Sequence, residues 1–137
     1  MISYLIDTSA VARFFQAPDK FPEWRRLIED GQVGLAKLNE FEVMHSAERA
    51  SARPALLRRL ESIFEMVLPD PDVFDMARDI QEALTAGGCH RSAGPVDLML
   101  AATACVMDLA VIHVDKDFQA IARHWPLRQY RMDTDLP

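Results

Sequence analysis

The chain has only two cysteines, Cys89 and Cys105, in 137 residues. That is no disulfide framework; it fits a reducing cytoplasm. Their separation also lacks zinc-ligand spacing, and Cys105 reads as core. Five glycines and eight prolines are no low-complexity signal, which excludes low-complexity and collagen-like chains. No run of about 18 uninterrupted apolar residues occurs, as a membrane span needs. The longest candidate, Val96 to Val114, is broken by Asp97 and Asp108. The N-terminus lacks the basic region and long apolar run of a signal peptide. No Gly-x-Gly-x-x-Gly, Walker loop or His-Glu-x-x-His is found, and Ser9 and Ser46 have no base-and-orienter set for a triad. Positive charge is short as well: the formal net charge is −6. Phosphate-binding proteins usually carry a basic footprint. Either the ligand is not a polyanion, or bound divalent cations supply positive charge locally.

What is present is apolar and periodic. Half of the residues are hydrophobic, enough for one folded domain. Tyr4-Leu5-Ile6 is a short apolar run that stops at Asp7, with Thr8 and Ser9 before an apolar pattern of helical spacing from Val11. The run reads as a buried strand and the polar triplet as a helix start. Trp24, Leu27 and Ile28 then stripe a helix opened by Pro22. Val33 to Ala36 is a second strand. A helix runs from Lys37 to about Ala52, with Asn39 as N-cap and Glu42 closing a capping box. Pro54 restarts a helix bearing Arg58 and Arg59. Met66 to Leu68 is a third strand, and Pro71 to about Ala86 a further helix. Pro95 opens a helix apolar almost all round, hence central. Leu109 to Val114 is a fourth strand, Lys116 to about His124 a helix, and Leu127 to Met132 an edge strand. Strands alternating with helices imply βαβ units, a mostly parallel sheet and an α/β fold.

The acids fall at comparable places. Asp7 and Asp115 end strands, Asp117 follows two residues on, Asp97 sits in the first turn of the central helix, and Glu42 or Glu40 follows the second strand. In a parallel sheet these places share one edge, the ligand crevice. Each acid alone has an ordinary explanation as an N-cap, a capping-box member or a dipole partner. The set is harder to explain that way. Asp97 is the lone charge on three otherwise apolar turns, and a desolvated carboxylate needs a partner or a metal. Converging carboxylates raise each other's pKa, and a divalent cation relieves them. Such oxygen ligands suit Mg²⁺ or Mn²⁺. On a helical wheel Glu40 lies nearer the apolar side than Glu42.

Leu5-Ile6-Asp7-Thr8-Ser9, Phe41-Glu42-Val43-Met44-His45-Ser46-Ala47, Val96-Asp97-Leu98-Met99-Leu100-Ala101-Ala102 and Ile112-His113-Val114-Asp115-Lys116-Asp117-Phe118 together resemble the successive motifs of PIN-domain ribonucleases, in particular the VapC-type toxins of bacterial toxin–antitoxin pairs. The resemblance spans nearly the whole chain. It implies a three-layer α/β/α sandwich, Mg²⁺- or Mn²⁺-dependent endoribonuclease activity, a homodimer and an antitoxin partner whose Arg enters the acidic groove. It assigns Asp7, Glu42, Asp97 and Asp115 to the catalytic acids, favouring Glu42 over Glu40. Asp7, Asp97, Asp115 and Asp117 become metal ligands, and Ser9 the hydroxyl that hydrogen-bonds within the site. His113 stands where many members carry Thr or Ser.

The chemistry expected is metal-assisted phosphodiester hydrolysis, with no histidine base required. Attack by the RNA 2′-hydroxyl would instead call on His90 or His113. A lone histidine after an apolar strand is more often packed than catalytic. Arg91, in the loop before the Asp97 helix, is a candidate phosphate contact or an ordinary surface charge. Two other classes stay open: a Mg²⁺-binding receiver-type domain with a phosphorylatable Asp, and a catalytically silent interaction module.

Overall fold

The computed structural model describes residues 1–137. Five strands form one all-parallel sheet: β1 (Tyr4–Ile6), β2 (Val33–Ala36), β3 (Glu65–Val67), β4 (Ala110–His113) and β5 (Gln129–Arg131), in spatial order β3-β2-β1-β4-β5. The alternation of side chains along each strand builds two cores. Leu5, Ala36 and Val111 face one layer, with α5 (Asp72–Ala86), α6 (Pro95–Met107) and α7 (Lys116–His124). Ile6, Val33, Leu35 and Ile112 face the other, with α1 (Thr8–Gln16), α2 (Pro22–Glu29), α3 (Lys37–His45) and α4 (Arg53–Ile63). The result is the three-layer α/β/α sandwich expected from the alternating pattern. No helix is long and apolar enough to cross a membrane.

α6 is the central helix its composition implies: Leu100, Ala101, Ala102 and Ala104 are each at most 1 % exposed. Its small residues let it lie close on the sheet and on α5. The topology matters more for function. The connections run outward from β1 in both directions, so the strand order reverses between β1 and β4. Parallel sheets bind ligands beyond the carboxyl ends of their strands at such a switch point. Asp7 follows β1 there, and Asp115 follows β4.

Several boundaries differ from the sequence expectation: β4 and β5 are shorter at both ends than expected, and α3 and β3 differ as well. α3 starts straight from β2 at Lys37 and stops at His45, not near Ala52. Ser46 Oγ donates to the Val43 carbonyl, and a separate 3₁₀ turn over Ala50–Ala52 precedes the proline-opened α4. Asn39 is therefore in the first turn of α3, not at its N-cap, which is Ala36. β3 is displaced by one residue to Glu65–Val67, leaving Leu68 72 % exposed. The one-residue shift puts Val67, not Met66, opposite Ala36 of β2.

Candidate active site

Two strand–helix junctions form the floor of the site. At the first, the Asp7 backbone N–H donates to the Ile112 carbonyl at 2.8 Å, which ties the end of β1 to β4. The side chain then caps α1. Asp7 Oδ2 accepts from Ser9 N–H at 3.1 Å and from Ser9 Oγ at 2.6 Å, and Oδ1 accepts from Asn39 Nδ2 at 3.1 Å. Asp7 is only 3 % exposed. Burial pushes its carboxyl above the usual range, the Ser9 hydrogen bonds oppose that, and the charge of Asp115 adds to it.

At the second junction Asp115 caps α7, its Oδ1 accepting from Asp117 N–H at 2.9 Å. The Asp115 N–H donates to His113 Nδ1 at 3.0 Å, and His113 Nε2 lies 2.6 Å from Gln129 Oε1. Those partners assign the neutral Nε2–H tautomer, since an amide N–H needs an acceptor and an amide oxygen a donor. His113 is fully buried, and burial lowers its pKa. It is a packed, neutral support for the Asp115 backbone. The Ser9 hydroxyl links the two junctions: it donates to Asp7 and accepts from Val114 N–H at 3.0 Å.

Asp97 enters from the first turn of α6, two residues past Pro95. Asp97, Asp115 and Asp117 can each offer a carboxylate oxygen within 4.8 Å of the others. Burial first, then the negative charges of Asp7, Asp115 and Asp117 and a hydrogen bond to Asp117, push the Asp97 carboxyl up to about 7. The first turns of α1, α6 and α7 all meet these acids, so three helix dipoles favour negative charge where the carboxylates repel each other. This donor set fits a hard divalent cation: oxygen ligands only, and an Asp97 carboxyl held up by a charge conflict that such an ion removes. Asp7 is not in the three-carboxylate group. It acts on that group through its charge, with both of its own oxygens hydrogen-bonded.

α3 supplies the remaining wall. Thr8 Oγ1 donates to Glu42 Oε1 at 2.8 Å, so Glu42 reaches the first junction. Glu40 does turn inward, at 4 % exposure, but it pairs with Lys37 at 3.0 Å and makes no bond to the Asp7 loop. Glu42 does not cap the helix; its carboxylate faces Thr8 and Asn39. Asn39 was legible only as a cap, yet it is fully buried and joins the elements: its Nδ2 reaches Asp7 Oδ1, Thr8 Oγ1 at 3.3 Å and Glu42 Oε1 at 3.4 Å. Asn39 Oδ1 is a buried side-chain acceptor with no partner. Its spacing of three from Glu42 was the available signal, because that spacing puts both on one helix face. Arg91 makes no ion pair with the acids. It lines a cleft of about 330 Å³ that Asp117 also lines. His90 is exposed in the same loop.

With this geometry in place, comparison with known proteins is informative. The PIN domain family matches residues 4–124. Ribonuclease VapC2 from Mycobacterium tuberculosis is 38 % identical over 120 residues, covering 87 % of this chain and 84 % of that protein. Ribonuclease VapC21 from the same species is 34 % identical over 119 residues, covering 87 % and 86 %. The crystal structure of DNA-bound VapBC from Salmonella typhimurium aligns with a TM-score of 0.77 at 21 % identity, over 95 % of this chain and 98 % of that one, a likeness of fold. A switch point lined by carboxylates, and relatives aligned over nearly their whole length, lead to one conclusion: this chain belongs to the PIN-domain family.

Proposed function

We propose that the protein is a metal-dependent endoribonuclease, the toxin of a toxin–antitoxin pair. The observation that carries the reading is the meeting of Asp97, Asp115 and Asp117 within 4.8 Å, beside the buried Asp7, at the switch point of the sheet. The relatives named as VapC ribonucleases and the fold shared with a VapBC complex support it.

In this reading Asp97, Asp115 and Asp117 hold Mg²⁺ or Mn²⁺, with Asp7 completing the negative field and contributing as a ligand. Bound there, the ion supplies Lewis acidity for in-line hydrolysis of a phosphodiester. The chain's residues do the placing. Ser9 fixes Asp7 against β4, Asn39 holds the other Asp7 oxygen, and Glu42 closes the α3 side of the groove. Asp117 and Asp115 present carboxylates from one helix start. His113 has both ring nitrogens engaged inside the core, which favours metal-assisted hydrolysis over a histidine-assisted attack by the 2′-hydroxyl.

The partner is an antitoxin whose arginine enters the groove, because a guanidinium meets a carboxylate pair in bidentate fashion. The protein acts as a homodimer in the cytoplasm. Phe41, Leu68 and Phe74, 64–72 % exposed, offer apolar surface to a partner, and both cysteines are free thiols. The test is cleavage of total RNA by the purified protein with Mg²⁺ or Mn²⁺ against EDTA. Cleavage should need the metal and disappear in Asp7→Asn and Asp97→Asn proteins that remain folded. Unchanged cutting in both variants refutes the reading.

A further inference from the structure

Beside the acids lies a cleft of opposite character. Arg91, from the loop before α6, and Lys116 and Arg123, from α7, surround a space of about 330 Å³, with Ser92, Asp117 and Gln119 on its walls. Lys116 and Arg123 are seven residues apart, two helical turns, so they lie on one face of α7. All three cations are exposed, and none forms an ion pair with a carboxylate of the chain. Other cations of the chain are also unpaired, but these three, drawn from two separate elements, line one concavity. By contrast Arg25, Arg128 and Arg131 are all paired at 2.6–2.9 Å. Unpaired cations converging on a concavity make an anion site.

Asp117 joins the cleft to the acids. It lines this cleft and also belongs to the three-carboxylate group. An anion in the cleft is therefore adjacent to whatever the carboxylates bind. A phosphodiester chain has that character: charges repeat along one strand, so a phosphate near the acids places its neighbour beyond them. An acidic peptide fits less well, because its carboxylates are not evenly repeated along the chain and it offers no phosphodiester to the three-carboxylate group.

We infer that the Arg91–Lys116–Arg123 cleft binds a phosphate of the RNA strand flanking the bond to be cut. The inference rests on the ribonuclease reading and adds direction to it: the strand crosses from the acids over the start of α7. It also explains how an acidic protein holds a polyanion, by placing three unpaired cations in one cleft beside the carboxylates. Removing these cations weakens RNA binding, not the chemical step.

The experiment is fluorescence anisotropy of a short fluorescein-labelled oligoribonucleotide with the purified full chain, in EDTA and again in Ca²⁺, over a salt series. The double variant Arg91→Ala/Arg123→Ala should bind about tenfold more weakly or worse. Its slope of log affinity against log salt should fall by about 0.7 per cation removed. In Mg²⁺ turnover it should raise KM and leave kcat unchanged. Arg123→Lys should keep the salt slope, and Arg58→Ala, an exposed cation on α4, should change nothing. Thermal melts check that each variant is folded; the substituted side chains are exposed. Unchanged affinity and salt slope in the double variant overturn the inference, as does failure of the unmutated protein to bind in either medium. Tighter capture of poly-glutamate than of RNA through the same residues also overturns it, in favour of an acidic protein segment. Should the protein bind RNA through these cations yet leave it intact in Mg²⁺, the ribonuclease reading fails and the cleft stands as an RNA site. Should it cut RNA with the double variant's KM unaltered, the cleft fails and the ribonuclease reading stands.

Discussion

The β1–α1 and β4–α7 junctions look alike in sequence and differ in space. Each is a short apolar strand ending in an Asp that caps the next helix. At the first, both carboxylate oxygens of Asp7 are hydrogen-bonded and the residue is 3 % exposed. At the second, Asp115 is half-buried and uses Oδ1 to cap α7. The same local device thus yields a buried anchor on one side and a half-buried carboxylate on the other. The difference comes from what packs on each junction: α3 brings Asn39 against Asp7 and Glu42 against Thr8, while Asp115 stays half-buried.

The largest effect should fall on cleavage. Asp7→Asn, Asp97→Asn and Asp115→Asn should each cut RNA more than about 100-fold more slowly, since even second-layer changes at metal sites cost about 10–100-fold. If the junctions differ as described, calorimetric Mn²⁺ titration should separate them. Asp115→Asn should lose metal binding outright, and Asp7→Asn should retain part of it. Equal loss in both would erase the distinction.

Next comes Asn39. Asn39→Ala removes the bond to Asp7 Oδ1 inside the core, and should slow cleavage about 10–100-fold. An unsatisfied buried acceptor costs about 1–3 kcal/mol, so urea unfolding should show a loss of that size. A stability loss with full activity would make Asn39 structural alone. Ser9→Ala probes the link between the junctions. It leaves Asp7 Oδ2 with one donor fewer and Val114 N–H without its partner, and should cost about 1–3 kcal/mol in the same assay.

The smallest effect is a pH trend in metal-free protein. Asp97 titrates near 3.8 when unfolded and at about 7 when folded. Between those values the native state binds more protons than the unfolded state, so stability falls as pH rises through that window. The raised Asp7 carboxyl acts in the same sense. The buried His113, whose pKa is lowered from 6.5, acts in the opposite sense at lower pH. The Asp97 trend is therefore read above that value: the melting temperature in EDTA should be higher at pH 6.5 than at pH 8. Asp97→Asn should flatten the trend, and Mg²⁺ should stabilise more at pH 8 than at pH 5. A metal-free protein most stable at pH 8 would show that the carboxylates do not repel each other as placed.

Much of this site was legible along the chain because each acid ends an apolar element. A strand that stops at Asp7 and a core helix that tolerates only Asp97 announce themselves through contrast with their neighbours. Asn39 had no such contrast. Asn39 and Glu42 satisfy a capping-box pattern, and a cap and a tertiary contact use the same side-chain chemistry. Glu40 was a similar trap: amphipathicity turned it inward correctly, but Lys37, three residues back, takes its charge. The end of α3 was misplaced by several residues because only the Ser46 back-bond and the following 3₁₀ turn stop it.

The order of apolar runs and turn residues, by itself, determined the α/β class, five strands close to where they lie, and the positions of the acids at strand–helix boundaries. Side-chain period and helix punctuation are local properties, so a linear reading reaches them. Tertiary structure alone decided which carboxylates meet, that Asp7 is enclosed and Asp115 half-buried, and that Arg91 joins Lys116 and Arg123 around one cleft. Those outcomes depend on the strand order around β1 and on which helix is packed over each junction, and neither is encoded within any single stretch of the chain.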